Sequence, residues 1–187
     1  RTLYSESECR LKVAFLTPEE GWFSGTIPSL MDEVDRRGHE TRVFHSHEDL
    51  ERGELLYLLS YLRIVPPEFL ALHKRNVVIH GSDLPEGRGF SPLSWQVSED
   101  ARQITFTLFE ASEEADVGDY YFKRSMPLDG TELFHEWRAK SAAFIKDMAL
   151  DFLDRYDEWQ AMPQEGEVTH YRQRKRTDEE VSPRDIL

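Results

Sequence analysis

Leu55-Leu56-Tyr57-Leu58-Leu59 decides the fold. Five apolar residues follow one another with no polar interruption. A strand with one face in water alternates apolar with polar. An unbroken apolar run of this length reads instead as a strand covered on both faces, as in a parallel sheet. Working outward, residues 11–16 (LKVAFL) form a short apolar run, broken only by Lys12 and closed by Pro18. Ile27, Leu30, Met31 and Val34 fall at helical spacing, and Gly38 ends that helix. Residues 40–44 and 77–80 are further strands, and Pro66-Pro67 open a short helix to Leu72. Strands alternating with helices predict an α/β fold with a parallel first half. Residues 45–54 are too few for a helical crossover, so that link is expected to be irregular.

The second half changes character. Residues 90–97 read as a helix with Pro92 near its first turn. Residues 104–109 (ITFTLF) alternate and are rich in β-branched and aromatic side chains, so they form a strand. An acidic loop, 111–119, precedes another strand at 120–124. Asp129 and Glu132 have capping-box spacing. The apolar positions from Leu133 to Tyr156 then predict one amphipathic helix of roughly 25 residues, 129–156, packed across a mixed sheet. The chain from 161 onward is polar and expected to be irregular. The division is a core at 1–160 and a polar tail at 161–187.

The composition narrows the functional classes. At 187 residues, 39% apolar and 32% charged, the chain is a folded domain, neither disordered nor membrane-spanning. The first ten residues contain no signal-peptide apolar segment, and the single cysteine, Cys9, excludes an internal disulfide. The expected location is the cytoplasm. Basic residues number 23 against 36 acidic, a net charge of −13. That balance disfavours bulk nucleic-acid binding, which needs a basic face. The one dense basic cluster, 172–176, is followed by Asp178, Glu179 and Glu180 and reads as a solvated segment. His45, His47 and Glu48 are too few for a metal site, and no metal is expected.

Two segments carry chemistry. His80-Gly81-Ser82-Asp83-Leu84-Pro85 ends an apolar strand, and open α/β sheets bind ligands at the carboxyl ends of their strands. A histidine there is placed for acid–base work. Ser82 lacks the setting of a nucleophile elbow and is expected to bond the backbone of the turn. Asp116-Val117-Gly118-Asp119 lies in the acidic loop, and a carboxylate brought near His80 holds the imidazole and accepts a proton.

Together these segments resemble the catalytic core of the formyltransferases that use 10-formyltetrahydrofolate. Their members include methionyl-tRNA and glycinamide ribonucleotide formyltransferases and the N-formyltransferases of nucleotide-linked amino sugars. The family pattern is Asn-x-His-x-Ser-x-Leu-Pro, then an Asp-x-Gly loop. His80, Ser82, Leu84 and Pro85 match in register, and Asp116 and Gly118 follow 36 positions after the histidine. Arg88-Gly89, Ser60-Tyr61 before Pro66, and residues 169–176 resemble further segments of the tRNA enzymes. Two features depart from the pattern. Val78 stands where the family has its asparagine, and Asn76 lies about 13 Å from His80 along a strand. The Gly-Ser phosphate loop of the purine enzymes is replaced by Thr17-Pro18-Glu19-Glu20-Gly21-Trp22.

The resemblance implies a Rossmann-like core and an N-formyltransferase. His80 stabilises the developing oxyanion, and Asp116 holds His80 and relays the amine proton. The formyl donor, 10-formyltetrahydrofolate, is expected against Tyr61, Arg63 and Val65 and the loop with Glu113, Glu114 and Gly118. Ser82, Leu84, Arg88 and Trp95 are candidates for the remaining wall. Trp22 and Phe23 are candidate stacking surfaces for the acceptor, a small amine. The charge, with no C-terminal barrel expected after residue 187, points to a nucleotide-linked amino sugar; a homodimer is allowed. The alternatives are a 10-formyltetrahydrofolate hydrolase and a non-catalytic folate- or sugar-binding relative. A donor replacing the family asparagine is expected from the backbone near Gly81, the Ser82 hydroxyl or Arg63.

Overall fold

The computed structural model describes residues 10–179; residues 1–9, with Cys9, and 180–187, with Glu180, lie outside the described residues. The strands are β1 (Lys12–Leu16), β2 (Glu40–Phe44), β3 (Gly53–Leu58), β4 (His73–His80), β5 (Arg88–Gly89), β6 (Gln103–Glu110), β7 (Tyr120–Pro127) and β8 (His170–Tyr171). The helices are α1 (Ile27–Arg36), α2 (Pro67–Leu70), α3 (Pro92–Ser98) and α4 (Phe134–Asp154). The main sheet has the order β2-β1-β3-β4-β6-β7. Its first four strands are mutually parallel, while β6 pairs antiparallel with both β4 and β7. This is the mixed sheet expected from the sequence.

The apolar run that opened the sequence reading is buried on both faces. Leu55, Tyr57 and Leu59 join the larger core under α1 and α4, and Leu56 and Leu58 join a smaller one with Leu50, Val65 and Leu70. β1 divides in the same way, Val13 and Phe15 to one side, Ala14 and Leu16 to the other. The Phe15 and Tyr57 rings stack at 5.5 Å, and the fully buried Tyr57 hydroxyl donates to the Ala149 carbonyl of α4 at 2.7 Å. Burial without a compensating positive charge pushes this phenol pKa well above its ordinary value. The link from β2 to β3 is irregular as expected, with one short 3-10 turn at His47–Asp49.

Two expectations need correction. The long helix begins at Phe134, not Asp129, and is 21 residues long. Glu132 accepts from the backbone N–H groups of Asp129 and Gly130, but Gly130, at φ +85°, turns the chain out of helical geometry there. The capping box forms one turn later, where Glu136 accepts from the Leu133 N–H at 2.7 Å. The segment after residue 160 is largely without regular structure, as expected, and the second correction is that it is tied to the core. Met162 bridges Tyr120, and β8 pairs in parallel with β5. Of the basic cluster, Arg172 packs over Trp95 at 4.6 Å while pairing with Asp178.

His73 is buried where β3 and β4 begin, and its ring nitrogens have no hydrogen-bond partner among the described residues. Gly53 makes room for it: a Cβ there would lie 2.9 Å from His73 Cδ2. Burial lowers the His73 pKa to about 4. Between about pH 6.5 and about 4 the unfolded chain therefore binds a proton that the folded chain refuses. The stability His73 supplies in its neutral form is present above that window and is lost as the pH falls through it. The expected outcome is that denaturant midpoints fall less between pH 7 and pH 4.5 in His73→Leu than in the parent, measured in one buffer series; equal slopes would show that this histidine is not the acid-labile group.

Candidate functional site

β4 ends at His80, and the chain then makes a tight turn across the edge of the sheet. Thr107, opposite His80 in the β4–β6 ladder, pins the turn: its hydroxyl donates to the Ser82 carbonyl at 2.7 Å and accepts from the Leu84 N–H at 3.2 Å. Lys123 of β7 adds bonds to Asp83 at 2.6 Å and to the Leu84 carbonyl at 2.5 Å. Gly81 is required by packing, since a Cβ there would lie 2.7 Å from Leu93 Cγ. The Leu84–Pro85 peptide bond is cis.

The turn and the acidic loop bring His80 and Asp116 together. His80 Nδ1 lies 3.7 Å from Asp116 Oδ1, and both side chains are largely buried. The other nitrogen, Nε2, lies 3.0 Å from the Gly87 carbonyl, which can only accept, so Nε2 carries a hydrogen. Asp116 sits at φ +60°, a left-handed conformation that aspartate tolerates, and its Oδ2 accepts from the Gly89 N–H at 2.8 Å. Gly118 allows the loop to return to the sheet: a Cβ there would lie 1.7 Å from the Glu110 carbonyl oxygen.

His80 and Asp116 open on a cavity of about 530 Å³, within the usual range of small-molecule sites. Tyr61, Arg63 and Val65 line it, as do Glu114, Trp22 and Phe23. Three large exposed apolar residues, Leu62, Ile64 and Phe90, lie on the same lining. Val78 also lines it and offers no hydrogen bond. Asn76 is turned away, its amide donating to the Leu70 carbonyl at 3.1 Å.

Other candidates lie outside the cavity. Leu84 and Ser82 are buried beneath the turn and do not line it. The Ser82 hydroxyl does not bond the turn backbone; it has no partner among the described residues, because Thr107 takes the carbonyl and amide the turn offers. Arg88 is drawn to Gln164, and Trp95 stacks on Tyr171 while its Nε1 donates to the Arg172 carbonyl. Glu113 and Gly118 are likewise absent from the lining. Arg63 is paired with Glu48 at 2.8 Å, and that bond holds the Glu48 carboxyl down at about 2. His45 and His47 serve different partners, the Thr17 carbonyl and the Tyr61 hydroxyl.

Gln164 was not among the residues singled out from the sequence, and Thr169 entered only as the first residue of the 169–176 resemblance, with no role given to its side chain. The Gln164 amide donates to the carbonyls of Asp116 and Gly118 at 3.0 and 2.8 Å, and its oxygen accepts from Arg88 at 2.8 Å. Thr169 accepts from the Gly87 N–H at 2.8 Å. Both residues thus tie the segment after α4 to the two loops that carry the His80–Asp116 pair. Nothing in the local sequence marks the bonds they make, since each acts across more than 40 residues.

The formyl transferase family profile matches residues 25–147, about two thirds of the chain. The chain belongs to the formyl transferase family. Methionyl-tRNA formyltransferase of Treponema pallidum is 29% identical over 145 residues, covering 77% of this chain and 42% of that protein. The chain therefore spans less than half the length of that curated relative. Among solved structures, methionyl-tRNA formyltransferase from Clostridium thermocellum superposes with a TM-score of 0.76 at 24% identity, over 94% of this chain and 78% of its own. The formyltransferase PseJ from Anoxybacillus kamchatkensis, solved with UDP-4,6-dideoxy-4-formamido-L-AltNAc and tetrahydrofolate, gives 0.69 at 17% identity, over 90% and 88%. These likenesses establish the Rossmann-like formyltransferase fold, and the family agrees with the one the two motifs resemble.

The Gln164 bonds generate a prediction. Gln164→Leu removes both bonds from its amide to the Asp116 loop and, with them, the acceptor of the Arg88 guanidinium. Its expected effect on stability is about 1–2 kcal/mol. Increased amide exchange at residues 116–118, beyond what that global loss explains, checks the clasp. Unchanged exchange there would show that the loop is held by other contacts.

Proposed function

We propose that this protein is an N-formyltransferase moving a formyl group from 10-formyltetrahydrofolate to the amine of a small acceptor, a nucleotide-linked amino sugar. The observation that carries the reading is the His80–Asp116 pair, 3.7 Å apart, at the carboxyl end of a parallel strand and on the wall of a cavity of about 530 Å³. The cavity suits a folate. Its rim at Leu62, Ile64 and Phe90 offers apolar surface to a flat ring, and the adjoining 111–116 loop brings backbone polar groups beside it. The folate supplies an activated formyl carbon; the amine nitrogen bonds to that carbon as its bond to folate N10 breaks. The amine loses a proton in the exchange, and N10 gains one.

The chain's own residues manage that proton. With Nε2–H fixed on the Gly87 carbonyl, Nδ1 is the ring nitrogen turned to the Asp116 carboxylate, 3.7 Å away, and its lone pair is where the ring takes up a proton. Two acceptors side by side take a proton from an attacking amine. Once protonated, Nδ1–H is held by Asp116 and is available to an adjacent oxygen. Asp116 is itself fixed by the Gly89 N–H. Of the donors considered in place of the family asparagine, Ser82 is buried off the lining and Arg63 is committed to Glu48. Gly81 lines the cavity beside His80, and its backbone N–H takes that role in this reading. The net charge of −13 favours a small acceptor over tRNA.

Turnover of 10-formyltetrahydrofolate with a panel of amines tests the reading. Amine-dependent turnover is expected, greatest with a nucleotide-linked amino sugar. Turnover independent of amine would indicate a hydrolase, none at all a binding protein, and preference for methionyl-tRNA would overturn the acceptor. His80→Ala and Asp116→Ala are each expected to lose at least about a hundredfold in rate. Val78→Asn is expected to change the rate by less than about threefold; a gain of about tenfold or more would show that the parent lacks an oxyanion donor.

A further inference from the structure

Residues 60–64 line the cavity as a turn between two buried anchors. Leu59 before it belongs to the larger core, and Val65 after it to the smaller one. Between them the chain leaves the core, so that Leu62 is 81% exposed and Ile64 52%. Ser60 stands at φ +57°, a left-handed conformation that costs a residue with a side chain and persists where surrounding contacts hold it.

Those contacts come from the link between β2 and β3. The Tyr61 hydroxyl oxygen accepts from the His47 N–H at 3.3 Å and lies 2.9 Å from His47 Nδ1. A hydroxyl both donates and accepts, so this contact survives in either tautomer of the ring and in its protonated form. His47 is only 5% exposed, its ring lies 5.1 Å from that of Phe69 in α2, and buried Leu50 closes the 3-10 turn it opens. Two residues after Tyr61, Arg63 donates to Glu48 Oε1 at 2.8 Å, and to Glu48 Oε2 and the Ser46 hydroxyl at 3.4 Å. The Ser46 hydroxyl itself donates to Glu48. Ser46, His47 and Glu48 do not line the cavity. Tyr61 and Arg63 thus send their polar ends to a support outside it, while Leu62 and Ile64, alternating with them, keep apolar surface exposed at its rim. The two tethers differ in strength. Burial protects the His47–Tyr61 contact, whereas the Arg63–Glu48 pair is half-exposed and screened by salt.

We propose that Ser46, His47 and Glu48 form a buttress that positions the 60–64 turn against the folate ring, so that His47 and Glu48 set the affinity for the formyl donor without touching it. They are positioning residues, acting through Tyr61 and Arg63. This rests on the folate reading of the cavity; the tethers themselves are present whatever the cavity binds. It also gives the irregular link 45–52 a task. Too short to cross the sheet as a helix, it lies against the turn that follows β3 and braces it.

The full chain is titrated with 5-formyltetrahydrofolate, following tryptophan fluorescence, at a temperature well below the unfolding of each variant. His47→Leu is expected to weaken binding about fivefold. His47→Gln keeps a polar partner for the Tyr61 hydroxyl and is expected to stay within about twofold of the parent. Glu48→Gln is expected to weaken binding about threefold at low salt, and the difference is expected to vanish at about 1 M salt, where the pair is screened in the parent. Amide exchange at residues 61–64, measured without ligand, is expected to rise in His47→Leu. Affinity unchanged in both His47→Leu and Glu48→Gln, or an equal loss in His47→Leu and His47→Gln, would overturn the proposal. Faster exchange with unchanged affinity would overturn it too, because the tether would then have no effect on the ligand. If His47→Leu does not fold, Glu48→Gln decides alone, its site being at the surface, and unchanged affinity at low salt overturns the proposal. A parent that binds while its variants match it removes the buttress and leaves the folate reading standing; a parent that does not bind removes both.

Discussion

The antiparallel register of β6 against β4 is the constraint on which the site depends. Val77 faces Glu110 and His80 faces Thr107, so the strand that pins the turn after His80 also launches the loop that brings Asp116 back. The launch is fixed by paired groups. The Ala111 N–H donates to the Asn76 carbonyl at 2.6 Å, and the Glu110 carboxylate accepts from the Asn76 N–H at 2.7 Å and the Tyr121 hydroxyl at 2.7 Å. Burial raises the Glu110 pKa, partly opposed by these bonds. A slip of one residue would turn Thr107 to the other face of the sheet, leaving the Ser82 carbonyl and Leu84 N–H without their partner.

The sheet supplies the rest by geometry. β3 and β4 are parallel, so the Tyr61 turn and the His80 turn leave from the same edge. Helices can cover the larger core without blocking that edge, and the cavity opens where their cover stops. The resulting site has a rigid floor of strand ends and walls made of loops. The segment after α4 closes over those loops from outside, through Gln164, Thr169 and the β5–β8 pair.

Much of this was legible in the sequence where many residues spoke together. The unbroken run 55–59 announced burial on both faces, and the resemblance of the His80 and Asp116 segments to the formyltransferase pattern implied a shared site. What was not legible was decided by single contacts. Asp129 and Glu132 have capping-box spacing, yet the geometry at Gly130 moved the helix start to Phe134, where Glu136 closes the box with Leu133. Ser82 matched a pattern, but Thr107 had already taken the groups it was expected to bond. The polar segment beyond residue 160 carries no apolar periodicity, because it is held by individual side-chain bonds and one two-residue ladder. Long-range polar contacts of this kind leave no local signature.

The central claim is that the edge cavity holds a folate with its transferable carbon beside His80 and Asp116. A crystal structure with 5-formyltetrahydrofolate tests it most directly. The account predicts the pterin ring against the 61–65 turn and the 111–116 loop, and the formyl-bearing end within hydrogen-bond reach of His80 at about 3 Å. A folate bound outside this cavity, or inside it with the formyl group turned away from both residues, would contradict the account.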